Sequence, residues 1–293
     1  MFFSTYANLF FGSLLFFAIF ARGEEKSVSP KIKDAINQGS NFLKNDQNKD
    51  GSWGSPHQTK GLNIFAPVPG SHRAFRLAVS SLSLHALLEN QDKNPSYKKT
   101  ITKGAEYLLS NLGQLRRASP MALYNVWSHA FGIQALASLY KSDHGKKNKE
   151  DIKDLVRQQI KMLEKYESID GGWGYYDFNA QTKQPSGSSI SFVNGTVLIA
   201  LKDAESLGVE VPEKTVTKAL AAIRRQRLPD NSYLYGEYLK YRPRRGINRP
   251  AGSLGRSHAC NLALQLWGDN TITSDVHKLC LDRLIERNGW LDI

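Results

Sequence analysis

Cysteine is scarce in this chain: Cys260 and Cys280 are the only two among 293 residues. Two cysteines form at most one disulfide, which excludes a small disulfide-built scaffold and leaves packing to hold the fold together. His277 and Cys280 have the i, i+3 spacing of one helix face, but two further ligands for a zinc ion are not recognisable. We therefore expect no metal and no cofactor, and interpret both cysteines as buried thiols, with a Cys260–Cys280 disulfide left open.

Long apolar runs are missing outside the N-terminus, where residues 9–20 are apolar and Ala21-Arg22-Gly23 follows. This order is typical of a secretory signal peptide, and the run is short for a membrane span. We predict a signal peptide over residues 1–23 and a single domain over residues 24–293, in an exported protein that is either periplasmic or secreted. An uncleaved membrane anchor is the alternative.

Acidic residues are outnumbered, with 27 Asp and Glu against 39 Lys and Arg, so the formal net charge is +12. The arginines concentrate in residues 224–227 and 242–249. Such runs attract an anionic ligand or surface, although a solvated charged face explains them equally simply. We expect an apolar or anionic small molecule as partner, with association with a membrane surface or cell envelope as a further option, and no nucleic acid.

A short motif recurs along the chain. Residues 50–54, Asp-Gly-Ser-Trp-Gly, return 120 positions later as Asp-Gly-Gly-Trp-Gly at residues 170–174. A weaker copy, Asp-Asn-Ser-Tyr, stands a further 60 positions on, at residues 230–233. A fixed period of this length is the signature of a repeat architecture, in which each unit is one supersecondary element.

Apolar spacing predicts nine helices of two kinds and no strands. Amphipathic outer helices are predicted over residues 32–43, 101–109, 152–163, 216–223 and 273–287. Inner helices, apolar on most sides, are predicted over residues 75–88, 126–140, 192–207 and 254–267. Stacked hairpins bury a face that one hairpin cannot, so the sequence predicts an all-α fold of about four and a half hairpin repeats, closed into an αα-toroid.

The connections are unequal. Links from outer to inner helices are long, at residues 54–73, 174–189 and 228–253, and all of them fall at one end of the predicted ring. Long loops in a compact domain are usually elaborated for binding, so we expect the ligand at this rim and in the cavity below it. The chain stops just after a repeat motif, from which we expect a C-terminally truncated ring; an open ring or one completed by a partner is the alternative.

In its two full copies the motif has a recognisable pattern, Q-x-x-x-G-x-W, and each copy precedes an inner helix. The matching positions are Gln47, Gly51 and Trp53, and, with Glu167 in place of Gln, Gly171 and Trp173. This pattern resembles the repeats of squalene–hopene cyclases and of the related prenyltransferase β-subunits, which form the terpenoid cyclase and prenyltransferase superfamily. The resemblance implies that these positions are structural, tying an outer helix to the next repeat; ligand stacking on the two indoles is the alternative. The chain lacks the family's D-x-D-D acid motif and a recognisable Asp, Cys and His zinc set.

Polar residues recur at one position of the inner helices: Ser80, His129, Asn194 and His258. They either line a shared cavity or satisfy a neighbouring helix backbone. Arg73, Arg76 and Arg256, near the starts of inner helices, either hold an anion such as a diphosphate or form rim salt bridges.

Aromatic and acidic residues follow the second motif. Tyr175 and Tyr176 suit the wall of a polyisoprenoid cavity or the stacking of sugars. Asp177, Asp170 and His129 are the candidates for proton transfer, although each aspartate also suits a turn. The resemblance predicts a squalene cyclase or prenyltransferase-repeat protein with a central cavity for an isoprenoid or other apolar ligand. An exported toroid enzyme acting on polysaccharide and a non-catalytic binding toroid are the alternatives.

Overall fold

A computed structural model describes residues 29–55, 71–90, 94–115, 125–174, 189–242, 246–248, 250–287 and 289. The predicted signal peptide and the candidates Tyr175, Tyr176 and Asp177 lie outside these described residues. The chain divides into two compact units, residues 1–39 and 40–293, with the boundary inside the first helix. The larger unit holds every feature discussed below.

Nine α-helices occur in the described residues, which contain isolated bridges but no strand. Their bounds are α1 Pro30–Asn45, α2 Ser71–Leu88, α3 Lys98–Asn111, α4 Asn125–Lys141, α5 Lys149–Lys165, α6 Ser191–Ser206, α7 Glu213–Gln226, α8 Pro250–Leu266 and α9 Ser274–Glu286. The prediction of an all-α chain with these nine helices is confirmed. The apolar periodicity of each segment is sufficient to predict the helices, because residues on one face of a helix recur about every 3.6 positions.

The helices of the larger unit pack in two kinds of contact. The inner helices α2, α4, α6 and α8 pack side by side in chain order. The outer helices α3, α5, α7 and α9 each pack against the inner helix that precedes them. Inner helices are accordingly buried on most of their circumference, as at Ile133 and Leu136 of α4 and Val197 of α6. These apolar faces supply the hydrophobic core.

The tryptophan of the repeated motif is a buried plate in both full copies. Trp53 and Trp173 are almost completely buried. The indole N–H of Trp53 donates to the carbonyl of Leu43 at 2.7 Å, and that of Trp173 donates to Leu163 at 2.8 Å. Each acceptor lies ten positions upstream, near the end of the preceding outer helix. The buried indole donor is thereby satisfied in the same way twice.

The motif's second residue has a left-handed backbone in all three copies. Gly51 and Gly171 have φ of 88° and 90°, and Asn231, in the weaker copy, has φ of 62°. Asparagine is among the few residues other than glycine that tolerate this region. A Cβ on Gly51 would lie 2.3 Å from the carbonyl oxygen of Lys103, and one on Gly171 would lie 2.6 Å from that of Lys218. Glycine therefore lets the next outer helix pack directly on the turn.

The first residue of the pattern joins the turn to the next outer helix. Gln47 donates through Nε2 to the carbonyl of Thr100 in the first turn of α3, at 2.9 Å. Glu167 cannot donate, and instead accepts from the Thr215 hydroxyl at 3.5 Å and pairs with the Lys218 ammonium at 2.9 Å. Thr100 and Thr215 are the third residues of α3 and α7. The second copy thus keeps the contact between the turn and the next outer helix, but a hydrogen-bond acceptor, Glu167, replaces the donor, Gln47.

The two full copies of the motif differ at a pair of neighbouring residues, and a larger side chain at one position goes with a smaller residue at the other. The backbone N–H of Trp53 donates to the hydroxyl of Ser80 at 2.9 Å, whereas that of Trp173 donates to Oδ1 of Asn194 at 2.6 Å. The longer Asn194 side chain needs Gly172 beside it, because a Cβ there would lie 2.3 Å from Oδ1. The first copy has a serine in place of Gly172, opposite the shorter Ser80.

We expect Gly172→Ser to lower the free energy of unfolding by about 2 kcal/mol, from the overlap with Asn194 and the positive φ of the backbone. Adding Asn194→Ser, which recreates the serine pair of the first copy, should recover about 1 kcal/mol relative to the sum of the single effects. Urea unfolding of the wild type, both single variants and the double variant measures this coupling. Strictly additive single effects would show that the pair is not coupled.

Candidate functional site

Four aromatic side chains form a continuous surface near the N-terminal ends of α4 and α6. We call Trp127, Phe131, Phe192 and Tyr235 the aromatic wall. Trp127 stacks on Phe131 with centroids 5.4 Å apart and on Phe192 at 5.7 Å, and Phe192 contacts Tyr235 at 5.7 Å. All four are only partly buried. Tyr235 is fixed by its carbonyl, which accepts from the backbone N–H of Ser191 at 3.0 Å.

The two other inner helices also carry exposed apolar residues. Val79 and Leu82 on α2 are 41% and 43% exposed, and Leu262 and Leu266 on α8 are 40% and 38% exposed. Each pair lies one turn apart, so each helix presents an exposed apolar stripe. Single exposed apolar residues are ordinary, but matched stripes on helices that are otherwise buried indicate a surface kept for a ligand or for packing.

Arg256 is the predicted anion-binding residue that lies against the aromatic wall. Its guanidinium carbon is 5.5 Å from the ring centroid of Tyr235, which is cation–π distance. Its Nη1 donates to Oδ1 of Asn248 and to the carbonyl of Tyr233, each at 3.4 Å, and its Nη2 donates to the carbonyl of Ile247. Burial lowers the pKa of Arg256 from its usual value. A positive charge is therefore held rigidly at the end of an aromatic surface.

The two other arginines lie on α2, and no contact within the described residues joins them to the aromatic wall. Arg76 pairs with Asp50 of the first turn at 3.2 Å, and its guanidinium carbon lies 5.9 Å from the ring centroid of Tyr107. Arg73 is exposed in the first turn of the helix. The structure thus places Arg76 in a salt bridge at the motif.

The recurring polar residues of the inner helices face different partners. His129 is buried between α4 and α5, where Nδ1 lies 2.7 Å from Oε1 of Gln159 and the ring stacks on Tyr166. Burial lowers the pKa of His129 to about 4. Asn194 caps the backbone of Trp173, as described above. His258 is half-buried, and its pKa is lowered by burial and then by the nearby His277. No described contact brings these residues together.

Asp170 is the one candidate acid whose structure is described. Its carbonyl accepts from Nη2 of Arg225 at 2.7 Å, and the backbone N–H of Ser189 binds its carboxylate. Its Oδ1 is buried without a hydrogen-bond partner among the described residues. Burial, opposed by the Ser189 hydrogen bond, raises the pKa of Asp170 from its usual value.

A polar cavity at the opposite ends of the inner helices was not predicted. It has a volume of about 500 Å³ and lies between the C-terminal parts of α2, α4 and α6. Glu89 accepts from Ser138 at 3.0 Å and lies 3.5 Å from Nε2 of His85. Burial raises the pKa of Asp203 despite the nearby charges of Lys141 and His85. The sequence does contain a signal for this cavity. Successive inner helices each carry a titratable residue where their pattern is otherwise apolar.

Both cysteines are free and buried, and they contact different partners. Cys260 is completely buried in the hydrophobic core, and the Sγ of Cys280 accepts from Nδ2 of Asn261 at 3.4 Å. Within the described part of the chain, no three His, Cys, Asp or Glu side chains are grouped so that they could hold a metal ion. None of the helices described there is long and apolar enough to cross a membrane.

Comparison with known proteins does not indicate a function for this chain, so the functional assignment depends on the geometry of the candidate site. No protein-family model, curated protein or solved structure matches this chain. The aromatic wall with Arg256 at its end is then the feature with the clearest chemical preference. It suits a long apolar ligand that carries a negative charge at one end.

Proposed function

We propose that this chain is a terpenoid cyclase and prenyltransferase-like protein whose inner helices bind an isoprenoid or a similarly apolar ligand. The aromatic wall carries the proposal, because four partly exposed rings in contact form an apolar surface with few polar demands. The exposed apolar stripes of α2 and α8 extend the surface available to a long hydrocarbon chain. Burial of such a chain contributes about 25 cal/mol per Å² of apolar surface.

The proposal includes the arrangement of the helices as an αα-toroid, with the inner helices around the ligand. Two observations support it. The inner helices pack side by side in chain order, each with its outer helix, as a stack of hairpins requires. The left-handed turn at Gly51 recurs at Gly171 and Asn231, so the junctions after α1, α5 and α7 are built alike. The family named in this proposal comes from the resemblance of the sequence motif to squalene–hopene cyclase repeats.

The wall also suits a reactive ligand. Aromatic faces attract cations, so the rings would stabilise positive charge that develops on an isoprenoid chain. Arg256, 5.5 Å from the ring of Tyr235, would orient an anionic head group at the end of the wall. If the protein is an enzyme, Asp170 is the candidate acid to test first as a proton donor, because burial raises its pKa.

Binding of farnesol to the purified protein tests the proposal, and isothermal titration calorimetry measures the affinity. We expect Phe131→Ala and Phe192→Ala each to weaken binding about tenfold, since loss of the contact with one ring should cost about 1.4 kcal/mol. Tyr241→Ala is the matched control, because this ring is 91% exposed and stands outside the wall. Its affinity should equal that of the wild type.

Lipid extraction and mass spectrometry of the purified protein provide the second measurement. Copurifying polyprenyl material is the expected result. Wild-type farnesol affinity in both wall variants would overturn the proposal. Glycan binding without any bound lipid would instead favour an exported enzyme or lectin-like toroid that acts on polysaccharide.

A further inference from the structure

A second cavity, of about 120 Å³, lies between the first turns of α8 and the outer helix α9. None of the aromatic wall residues lines it. Its polar lining is Asp230, Ser232, Asn248, Ser253, Ser257, Arg283 and Arg287. Liquid water occupies roughly 30 Å³ per molecule, so the space equals about four waters and admits one small polyatomic group.

Asn248 is the unusual member of this lining. It is 8% exposed, and its Oδ1 accepts from the backbone N–H of Tyr235 at 2.8 Å and from Arg256 at 3.4 Å. These two donors fix which way the amide points, because only the oxygen can accept from them. The Nδ2 group is buried and has no hydrogen-bond partner among the described residues, while the residue itself lines the cavity. A buried amide donor without an acceptor is costly and rare, so an acceptor that entered here and reached Nδ2 would remove that cost.

The charges around the cavity also favour an acceptor. Arg283 and Arg287 lie one turn apart at the end of α9, and both line the space. Asp230 offsets one of them, with Oδ2 3.5 Å from Nη1 of Arg283, while its Oδ1 accepts from Ser232. Two arginines and one aspartate leave one net positive charge. The cavity borders the N-terminal turns of α8 and the C-terminal end of α9, so the two helix dipoles oppose each other there and the charged side chains decide its sign.

We propose that this cavity binds a small oxyanion of phosphate type, held by Nδ2 of Asn248 and by the guanidinium groups of Arg283 and Arg287. A neutral donor and two charged donors then converge on one group of oxygens, the arrangement in which charge-assisted hydrogen bonds are strongest. Asn248 would thus bind the oxyanion through its Nδ2 group and Arg256 through its Oδ1 atom. An occupied site would therefore also order the residue that positions Arg256 and Tyr235.

Asn248→Asp is the decisive variant. The aspartate keeps an oxygen for the N–H of Tyr235 and for Arg256, and replaces only the unused NH₂ group with a negative oxygen. We measure the thermal unfolding midpoint against inorganic phosphate concentration, with chloride added to hold the ionic strength constant. The midpoint of the wild type should rise in a saturable manner, because a ligand that binds only the folded state stabilises it. In Asn248→Asp the apparent Kd for phosphate should weaken at least tenfold.

A second pair of variants separates the site from general attraction of phosphate to a basic protein. Arg287→Gln removes an exposed cavity charge and should weaken phosphate binding about tenfold. Arg157→Gln removes the same charge from α5, where Arg157 pairs with Asp154, and should leave the response unchanged. An equal phosphate response in all four proteins, or a response that never saturates, would overturn the proposal. If Asn248→Asp does not fold, the comparison of Arg287→Gln with Arg157→Gln decides it.

Discussion

Replacement of Trp173 by alanine should lower the free energy of unfolding by about 3–5 kcal/mol, the usual cost of removing a buried large aromatic side chain. The indole is 0% exposed, so its removal leaves a cavity in a close-packed core, and filling that cavity with water would also cost free energy. The change also removes the donor to the carbonyl of Leu163 at the end of α5. Urea unfolding followed by circular dichroism measures the difference.

Two further variants divide this cost into packing and hydrogen bonding. Trp173→Phe keeps a ring in the site but leaves the Leu163 carbonyl without the indole N–H, at a cost of about 1–2 kcal/mol beyond the lost area. Trp127→Ala removes a tryptophan that is only partly buried, and should cost clearly less than Trp173→Ala. Equal costs at Trp127 and Trp173 would show that Trp173 does not anchor its repeat.

The helices and their order were predictable because they depend on a local and repeated pattern. Each helix stripe is specified within one segment, as in the run of apolar residues that ends at Leu136 in α4. The recurrence of Gly51 as Gly171 identified the junction between repeats, and Asn231 keeps the same backbone conformation in a copy whose sequence match is weak. Closure into a toroid is a property of the whole stack, and it remains a proposal.

The orientation of the site residues was much less predictable. His129 and Asn194 hold the same place relative to their helix ends, yet one contacts Gln159 of an outer helix and the other the backbone of Trp173. The choice depends on partners tens of residues away. Arg76 illustrates the same difficulty, because its place beside Asp50 reflects a contact between a turn and the next inner helix. Sequence spacing predicts a face of a helix, but the partner on that face comes from tertiary packing.

Acidification should destabilise the protein through His129, by up to about 3 kcal/mol between pH 6.5 and pH 4. The pKa of this imidazole is about 4 in the folded protein, against 6.5 in an exposed chain. Between these values the unfolded state binds the proton and the folded state does not, so protonation favours unfolding. The contribution is fully present above pH 6.5 and is lost as the pH falls towards 4. Urea unfolding at a series of pH values measures it.

His129→Asn isolates this effect, because its amide can still donate to Oε1 of Gln159 but does not titrate. The variant should have a lower stability at pH 7 and a flatter dependence on pH, so that the two curves approach each other as the pH falls. Burial also lowers the pKa values of His144 and His258, but both side chains are less buried than that of His129. His144→Asn should therefore keep most of the wild-type slope. Parallel curves for the wild type and His129→Asn from pH 7 to about pH 4.5 would contradict a buried neutral His129.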